Sequence, residues 1–314
     1  MFVYLFNFWL WQEATLILSK YANVMKAKKV LLVGSATIDE IVTDDKKVIK
    51  AGGVVTYAGL TFKRHGLETT VATNIADSDS AVQEIFHKAS IPLLSQKTER
   101  TTRFVNIYKG EHREQLLPHI ARPITIEQIM DVLPSFDHIH LGPLHPKDIH
   151  TSVYRHLASE KKLISTDIQG VVRTVRQGVV RLKTSSVLTI ALHISTVIKA
   201  DVAELREILK YLYMTETDLM RVFSIGELVV TDGSRGGMVI SAKEGSFRYS
   251  AVAPDKTVDT TGAGDVFFAA YLESRIYRQQ PIPQACHDAS ELVAKYIEGK
   301  YFAPEILALP VRSS

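Results

Sequence analysis

VDTTGAGDVFFAAYL, residues 258–272, is the stretch from which the rest of the chain can be read. A strand is predicted to lead in. Gly262, Ala263 and Gly264 then form a turn almost without side chains, and a helix is predicted over 265–276. A glycine-rich turn that opens a helix points several backbone N–H groups outward at the positive end of the helix dipole. Those donors can hold an anion, and the missing side chains let phosphate oxygens approach closely. Asp265 falls in the first turn of that helix. A carboxylate beside a bound phosphate can take the proton of an attacking hydroxyl. The same letters also admit a plainer role, in which Asp265 caps the helix and the glycines make a tight connection.

Outward from this turn the chain alternates apolar strands with amphipathic helices. KKVLLVG, TTVATNIA, IPLLSQ, HIHLG, KLISTDI, STVIKA and ELVVTDG read as strands. Residues 54–65, 81–89 and 202–213 carry helical spacing. That rhythm is the signature of βαβ units, and it predicts a mostly parallel central sheet covered on both faces. Two segments break it, near 41–51 and 101–118. TTRFVNIYKGEHREQLLPH alternates around a Lys109-Gly110 turn, as two paired strands do. Both segments suit a small β lid projecting from the main body. Neither an internal repeat nor a Pro/Ser-rich linker divides the chain, so 25–314 is predicted to form a single α/β domain.

Composition narrows the classes of function. Apolar residues make up 46% and charged residues 23%, the balance of a globular chain with a core. Lys plus Arg number 37 against 34 Asp plus Glu, and a net charge of +3 gives no reason to expect nucleic acid or an acidic membrane surface as partner. Cys286 is the only cysteine, which excludes internal disulfides and fits a cytoplasmic location. Residues 1–24 are apolar and aromatic, but Gln12 and Glu13 interrupt them and no basic segment precedes them. They fit neither a membrane span nor a signal peptide. Because Met25 is followed at once by the first strand, 1–24 reads as a non-core extension.

DTTGAGD with its apolar helix resembles the C-terminal signature of the ribokinase-like (PfkB) carbohydrate kinases, and the resemblance extends over about residues 28–304. It implies a three-layer ribokinase-like sandwich and an ATP-dependent transfer of phosphate to a hydroxyl of a small sugar or polyol. ATP, Mg²⁺ and a monovalent cation are the cofactors it brings with it. Asp265 would be the base, on the Gly262, Ala263 and Gly264 anion turn, with Thr261 beside the phosphates. GSATID resembles the family's first strand, so Asp39 would bind acceptor hydroxyls; alone, it could equally be a turn aspartate. AGGVVTYAG resembles the N-terminal Gly-Gly motif, making Gly52 and Gly53 a hinge between lid and body. Here the chain departs from the pattern. The family's asparagine is replaced by Thr56-Tyr57, and Tyr57 in the acceptor site puts an ordinary ribokinase substrate in doubt.

Asp201 and Glu204 match an N-x-x-E motif linked to magnesium, with aspartate for asparagine; they also read as a capping box. TDGSRGG resembles the turn beside the nucleotide, through Thr231, Gly233 and Gly236. DIQGVVR follows a core strand at the edge where ligands sit in open α/β sheets, so Asp167, Gln169 and Arg173 are candidates to touch substrate or phosphate. A similar run occurs in the inositol-kinase-like part of the family, and it inclines the acceptor toward a polyol of inositol type. A nucleoside kinase of the same family is the alternative, and a non-catalytic sugar or nucleotide sensor is the alternative of another class. His138, His140, His145 and His150 cluster locally, but without a cysteine or a close carboxylate they read as structural rather than metal-binding. An exposed lid edge offers a surface for a homodimer.

Overall fold

The computed structural model describes residues 28–109 and 112–310; the extension expected at 1–24 and Gly110 of the expected hairpin turn lie outside them. In chain order the strands are β1 (Lys29–Gly34), β2 (Thr37–Val42), β3 (Lys47–Gly52), β4 (Glu68–Ala72), β5 (Leu93–Leu94), β6 (Thr102–Lys109), β7 (His112–His119) and β8 (His138–Gly142). They continue with β9 (Leu163–Asp167), β10 (Arg173–Arg176), β11 (Val179–Leu182), β12 (Val197–Asp201), β13 (Glu227–Thr231), β14 (Gly237–Ser241) and β15 (Gly245–Tyr249). The helices are α1 (Val54–Arg64), α2 (Ser80–Lys88), α3 (Thr151–Leu157), α4 (Leu188–Ile194), α5 (Val202–Leu212), α6 (Glu216–Val222), α7 (Ala263–Leu272), α8 (Ile282–Ile297) and α9 (Pro304–Leu307).

Nine strands form the central sheet in the order β15-β14-β13-β12-β9-β8-β1-β4-β5. From β13 to β5 every pairing is parallel, and β14 and β15 add an antiparallel edge. The sequence of β1 explains its central place. Val30, Leu31, Leu32 and Val33 are all fully buried, as a strand covered on both faces requires. On one face α1, α2, α7 and α8 pack with Val30 and Leu32. On the other, α3 to α6 pack with Leu31 and Val33. The fold is thus an α/β sandwich of three layers, with the carboxyl ends of β1, β8, β9, β12 and β13 at one edge.

A second sheet of six strands, ordered β10-β11-β7-β6-β2-β3, stands beside that edge. The unusual segments at 41–51 and 101–118 fall in its β2–β3 and β6–β7 hairpins. A third hairpin, β10–β11, follows directly from the DIQG run. Val54, Phe104, Leu117 and Leu144 form a small apolar cluster that joins this sheet to the main body.

Two local expectations change. The helix predicted over 265–276 begins earlier, at Ala263, and passes after Leu272 into a single π-turn at Glu273–Tyr277. In that turn Arg275 reaches across to Glu227 at 2.8 Å. The strand predicted to lead into Gly262 is not a strand. The N–H groups of Val258 and Asp259 go to the carbonyl of Ile297 at the end of α8, so no strand ladder is available to them. The histidines of β8 are core residues. His138 bonds Tyr277 and Ser165, and His140 bonds the same Ser165. Burial pushes His140 down to about 4, so it is neutral. Among the described residues no cluster of His, Cys, Asp or Glu could hold a metal ion, and no helix is long and apolar enough to cross a membrane.

Gly34 and Gly142 are register partners at the ends of β1 and β8. A Cβ on Gly34 would meet the Gly142 carbonyl, and one on Gly142 would meet Val54. The start of α1 therefore rests directly on the sheet edge. Gly142→Ala should lower the thermal midpoint by roughly 3–8 °C, because overpacking costs about 1–3 kcal/mol. A thermal melt of the variant against the parent checks this; an unchanged midpoint would show that α1 does not depend on that contact.

Candidate active site

At the shared edge, Gly262 precedes α7 as its N-cap at φ 81°, a left-handed conformation that favours glycine. A Cβ there would also run into the ring of Tyr57, which lies against the turn from α1. The lead-in is tied from two sides. Asp259 Oδ1 accepts from the Thr261 N–H at 2.9 Å, and the Tyr296 hydroxyl donates to the Thr261 carbonyl. Amides in the first turn of a helix have no intrahelical partner, so the turn presents donors to whatever lies in front of it.

What lies in front is a polar cavity of 260 Å³. Thr261, Gly262, Ala263, Gly264 and Asp265 line it from the turn into α7 and its first residues. Asp39, Gly53 and Tyr57 line it from β2 and the start of α1. Gln169 comes from the turn after β9 and Arg173 from the start of β10, Asp201 from the end of β12 and Glu204 from the first turn of α5. Gly52 is behind the wall, where a Cβ would meet the Asp39 carboxyl group. Asp167 is also behind it, fully buried. Thr231, Gly233 and Gly236 follow the next strand outward and do not line this cavity.

The reading of Asp201 and Glu204 as a capping box is realised in full. Glu204 N–H donates to Asp201 Oδ1 at 2.7 Å, and Asp201 N–H donates to Glu204 Oε2 at 2.8 Å. Thr37 Oγ1 donates to Asp39 Oδ1 at 2.7 Å, which fixes that carboxylate at the mouth of the second sheet. Gln169 Nε2 reaches Asp265 Oδ1 at 3.5 Å, a long contact.

Lys199 is the residue that sequence reasoning missed. It sits on β12 beside Asp167 in register, and its ammonium donates to Asp167 Oδ2 at 2.9 Å with both side chains buried. The ammonium also lies 3.2 Å from where a Cβ on Gly264 would be, directly under the turn. An ammonium has three donors, and no other hydrogen bond of this one is formed among the described residues. The signal was available, since VIKAD puts a lone charge in a buried strand two residues before the helix cap. Asn106, held by Gln115 at 3.0 Å, adds an amide from the second sheet that the motifs also did not indicate.

Asp265 is half-buried, with part of its side chain open to the cavity. Burial first, then the charge of Asp167, pushes its carboxyl up to about 7, with Lys199 and Arg173 pulling the other way. Glu204 is likewise pushed up to about 7, chiefly by burial and against the pull of Lys199. Lys199 is held protonated by Asp167, Glu204 and Asp265 despite its burial. A carboxyl group poised near neutrality beside an anion turn can accept a proton during a reaction at physiological pH.

The family profile described as pfkB family carbohydrate kinase matches residues 27–300. No curated protein matches the chain. Among solved structures, a pyrophosphate-dependent kinase of the ribokinase family, complexed with a pyrophosphate analog and myo-inositol, is 21% identical. That match covers 86% of this chain and 95% of the other, with a TM-score of 0.73. A Burkholderia thailandensis nucleoside kinase complexed with inosine is 15% identical over 88% and 94% of the two chains, TM-score 0.71. An Arabidopsis thaliana ribokinase complexed with ribose and ATP is 15% identical over 87% and 93% of the two chains, TM-score 0.67. At these identities the likeness is one of fold.

Asp265 should act in its ionised form, so turnover should rise with pH through about 7. Removing the positive charge of Lys199 removes a contribution that lowers the Asp265 pKa. The acid limb of the Lys199→Met variant should therefore move to higher pH. Asp265→Asn, which keeps the size, should lose about 10²-fold or more in kcat. The measurement is a pH–rate profile of the three proteins; an acid limb that stays put in Lys199→Met would break the link between the two groups.

Proposed function

The chain belongs to the pfkB family of carbohydrate kinases, and from that premise we propose that it moves the terminal phosphoryl group of ATP to a hydroxyl of a small polyol of inositol type. One observation carries this reading: Asp39, Gln169, Arg173 and Asp265 converge on a single small polar cavity that ends at the α7 turn.

The roles follow from chemistry. Asp39 can accept hydrogen bonds from two neighbouring hydroxyls, and Arg173 and Gln169 donate from the opposite wall. The Gly53 backbone closes the cavity beside Tyr57. Asp265 takes the proton of the attacking hydroxyl or orients it. The first-turn amides and the Lys199 ammonium stabilise charge on the transferring group. The second sheet acts as a lid whose closure keeps water from the donor.

The residues present suit a magnesium-bearing donor in a limited way. No three-residue metal cluster exists among the described residues, so an ion would be held mainly by donor phosphates. Asp201 and Glu204 line the cavity and would help to hold such an ion, which would supply neutralisation of phosphate charge.

Acceptor size favours a polyol. At 260 Å³ the cavity is smaller than the roughly 300–1,000 Å³ that drug-sized ligands occupy. A single ring fits it better than a nucleoside. Myo-inositol is bound by the pyrophosphate-dependent relative, and the DIQG run points the same way. Asp265 intact at its turn speaks for catalysis over a sensor. A second donor, inorganic pyrophosphate, is favoured by Lys199. This buried full charge under the turn suits a short, highly charged donor, and that same relative is pyrophosphate-dependent.

A coupled assay crossing ATP and pyrophosphate with myo-inositol, ribose and inosine tests the proposal. Myo-inositol should be the best acceptor. A nucleoside preferred over every polyol would replace this reading by the nucleoside alternative, and no turnover with any pair would favour the sensor. Asp39→Ala should cut acceptor kcat/KM by about 10²-fold or more, since two charge-assisted hydrogen bonds at roughly 1.5–3 kcal/mol each are lost. Donor Kd by calorimetry should stay within about threefold, because Asp39 is proposed to bind the acceptor and not the donor.

A further inference from the structure

Lys50 comes from β3, two residues before the Gly52–Gly53 pair, and its side chain is only 7% exposed. A buried ammonium on a lid strand calls for a partner. That partner is Asp259, 209 residues away in sequence, whose Oδ2 pairs with Lys50 Nζ. The other oxygen of the same carboxylate, Oδ1, accepts from the Thr261 N–H at 2.9 Å. Asp259 is therefore bonded on one side to the second sheet and on the other to the residue that precedes Gly262.

Further contacts fix this junction. Lys50 faces Asp39 directly across the β2–β3 pair, so the strand that carries the ammonium also backs the acceptor carboxylate. The ammonium lies 5.9 Å from the centre of the Tyr57 ring, the ring that packs against Gly262. The backbone of β3 is itself pinned by a bridge from Lys50 to Ala308 and by Leu309 N–H donating to Ile49 O at 3.2 Å.

We propose that Lys50 is a positioning residue for phosphoryl transfer: through Asp259 it locks the entrance of the α7 turn to the second sheet. The proposal rests on reading that turn as the phosphate site. Lys50 touches neither substrate. It works by holding Asp259 in the orientation that fixes Thr261, and so the direction of the amides that follow. The turn is then set for transfer only while β2 and β3 are seated over the acceptor. Loss of the lock loosens the turn and lowers kcat more than it weakens acceptor binding, because misplacing a phosphate site by about 1 Å can cost on the order of 10²-fold.

The cavity beside the pair supplies a test. It measures 530 Å³ and is lined by both Lys50 and Asp259, so a small amine can enter when the lysine is cut back. In the full chain, Lys50→Met should lower kcat by about tenfold or more with acceptor KM changed less than about threefold. Asp259→Asn should have a similar effect, and the double variant should be no worse than the weaker single one, as expected for two members of one pair. Ethylammonium at about 100 mM should raise the kcat of Lys50→Ala several-fold, and tetramethylammonium at the same ionic strength should not, because only the first can donate to a carboxylate. A lysine that merely stiffened the fold would lower activity without this discrimination. If Lys50→Met fails to fold, Asp259→Asn and the amine comparison on Lys50→Ala decide. Equal response to the two ammonium ions, or unaltered kcat in Asp259→Asn, overturns the proposal. Asp265→Asn is assayed alongside. An inactive Asp265→Asn with unaltered Lys50→Met removes the lock alone, whereas an active Asp265→Asn removes the reading of the turn and the lock with it.

Discussion

The ion pair between Asp167 and Lys199 is the constraint on which the site depends. Both side chains are buried, and taking two charges out of water is costly unless each finds its partner and its hydrogen bonds. The pair exists because β9 and β12 are parallel neighbours in a register that sets Lys199 beside Asp167. A slip of one residue along β12 would turn the lysine to the opposite face of the sheet and leave Asp167 charged and alone. The pairing thus fixes two strand ends against each other, and it leaves a positive charge under the α7 turn, where the site needs one.

That charge explains how so many carboxylates can share one small space. Asp39, Asp201, Glu204 and Asp265 line the cavity, with Asp167 behind it. Arg173 and Lys199 are the cations that face them there. The excess of negative charge, together with burial, holds Asp265 and Glu204 near neutrality and keeps Lys199 protonated. An anion held at the α7 turn would lie over the buried Lys199 ammonium and close to these carboxyl groups. Its approach favours protonation of the carboxyl groups, so a divalent ion arriving with it would help to keep Asp265 ionised.

Much of this was legible in the sequence because it is local. The turn at Gly262 to Gly264 follows from glycine and a helix start within a few residues, and the capping box at Asp201 and Glu204 from their spacing. The central strands announce themselves by unbroken apolar runs. What could not be read is what depends on register and distance. Lys199 gains its role only when β9 lies beside β12. Lys50 and Asp259 meet across 209 residues, and no local pattern pairs them. The β10–β11 hairpin is a different case. RTVRQGVVRL alternates around Gln177 and Gly178, both at positive φ in a two-residue turn, and that signal was physical and present.

Tyr57 shows how one departure from a motif can reorganise its surroundings. An aromatic ring at this position fills the space in front of Gly262 and meets Tyr296 edge to face at 6.0 Å. Tyr296 in turn holds the Thr261 carbonyl, and the ring of Tyr57 faces the Lys50 ammonium. The turn is therefore supported by packing from α1, by a hydroxyl from α8 and by a charge from β3, three elements that have no contact in sequence. A residue with a small amide here would leave a void between α1 and the turn, and voids in a packed interior are costly. The tyrosine thus does two things at once. It narrows the polar cavity that it lines, and it braces the backbone of the turn at Gly262.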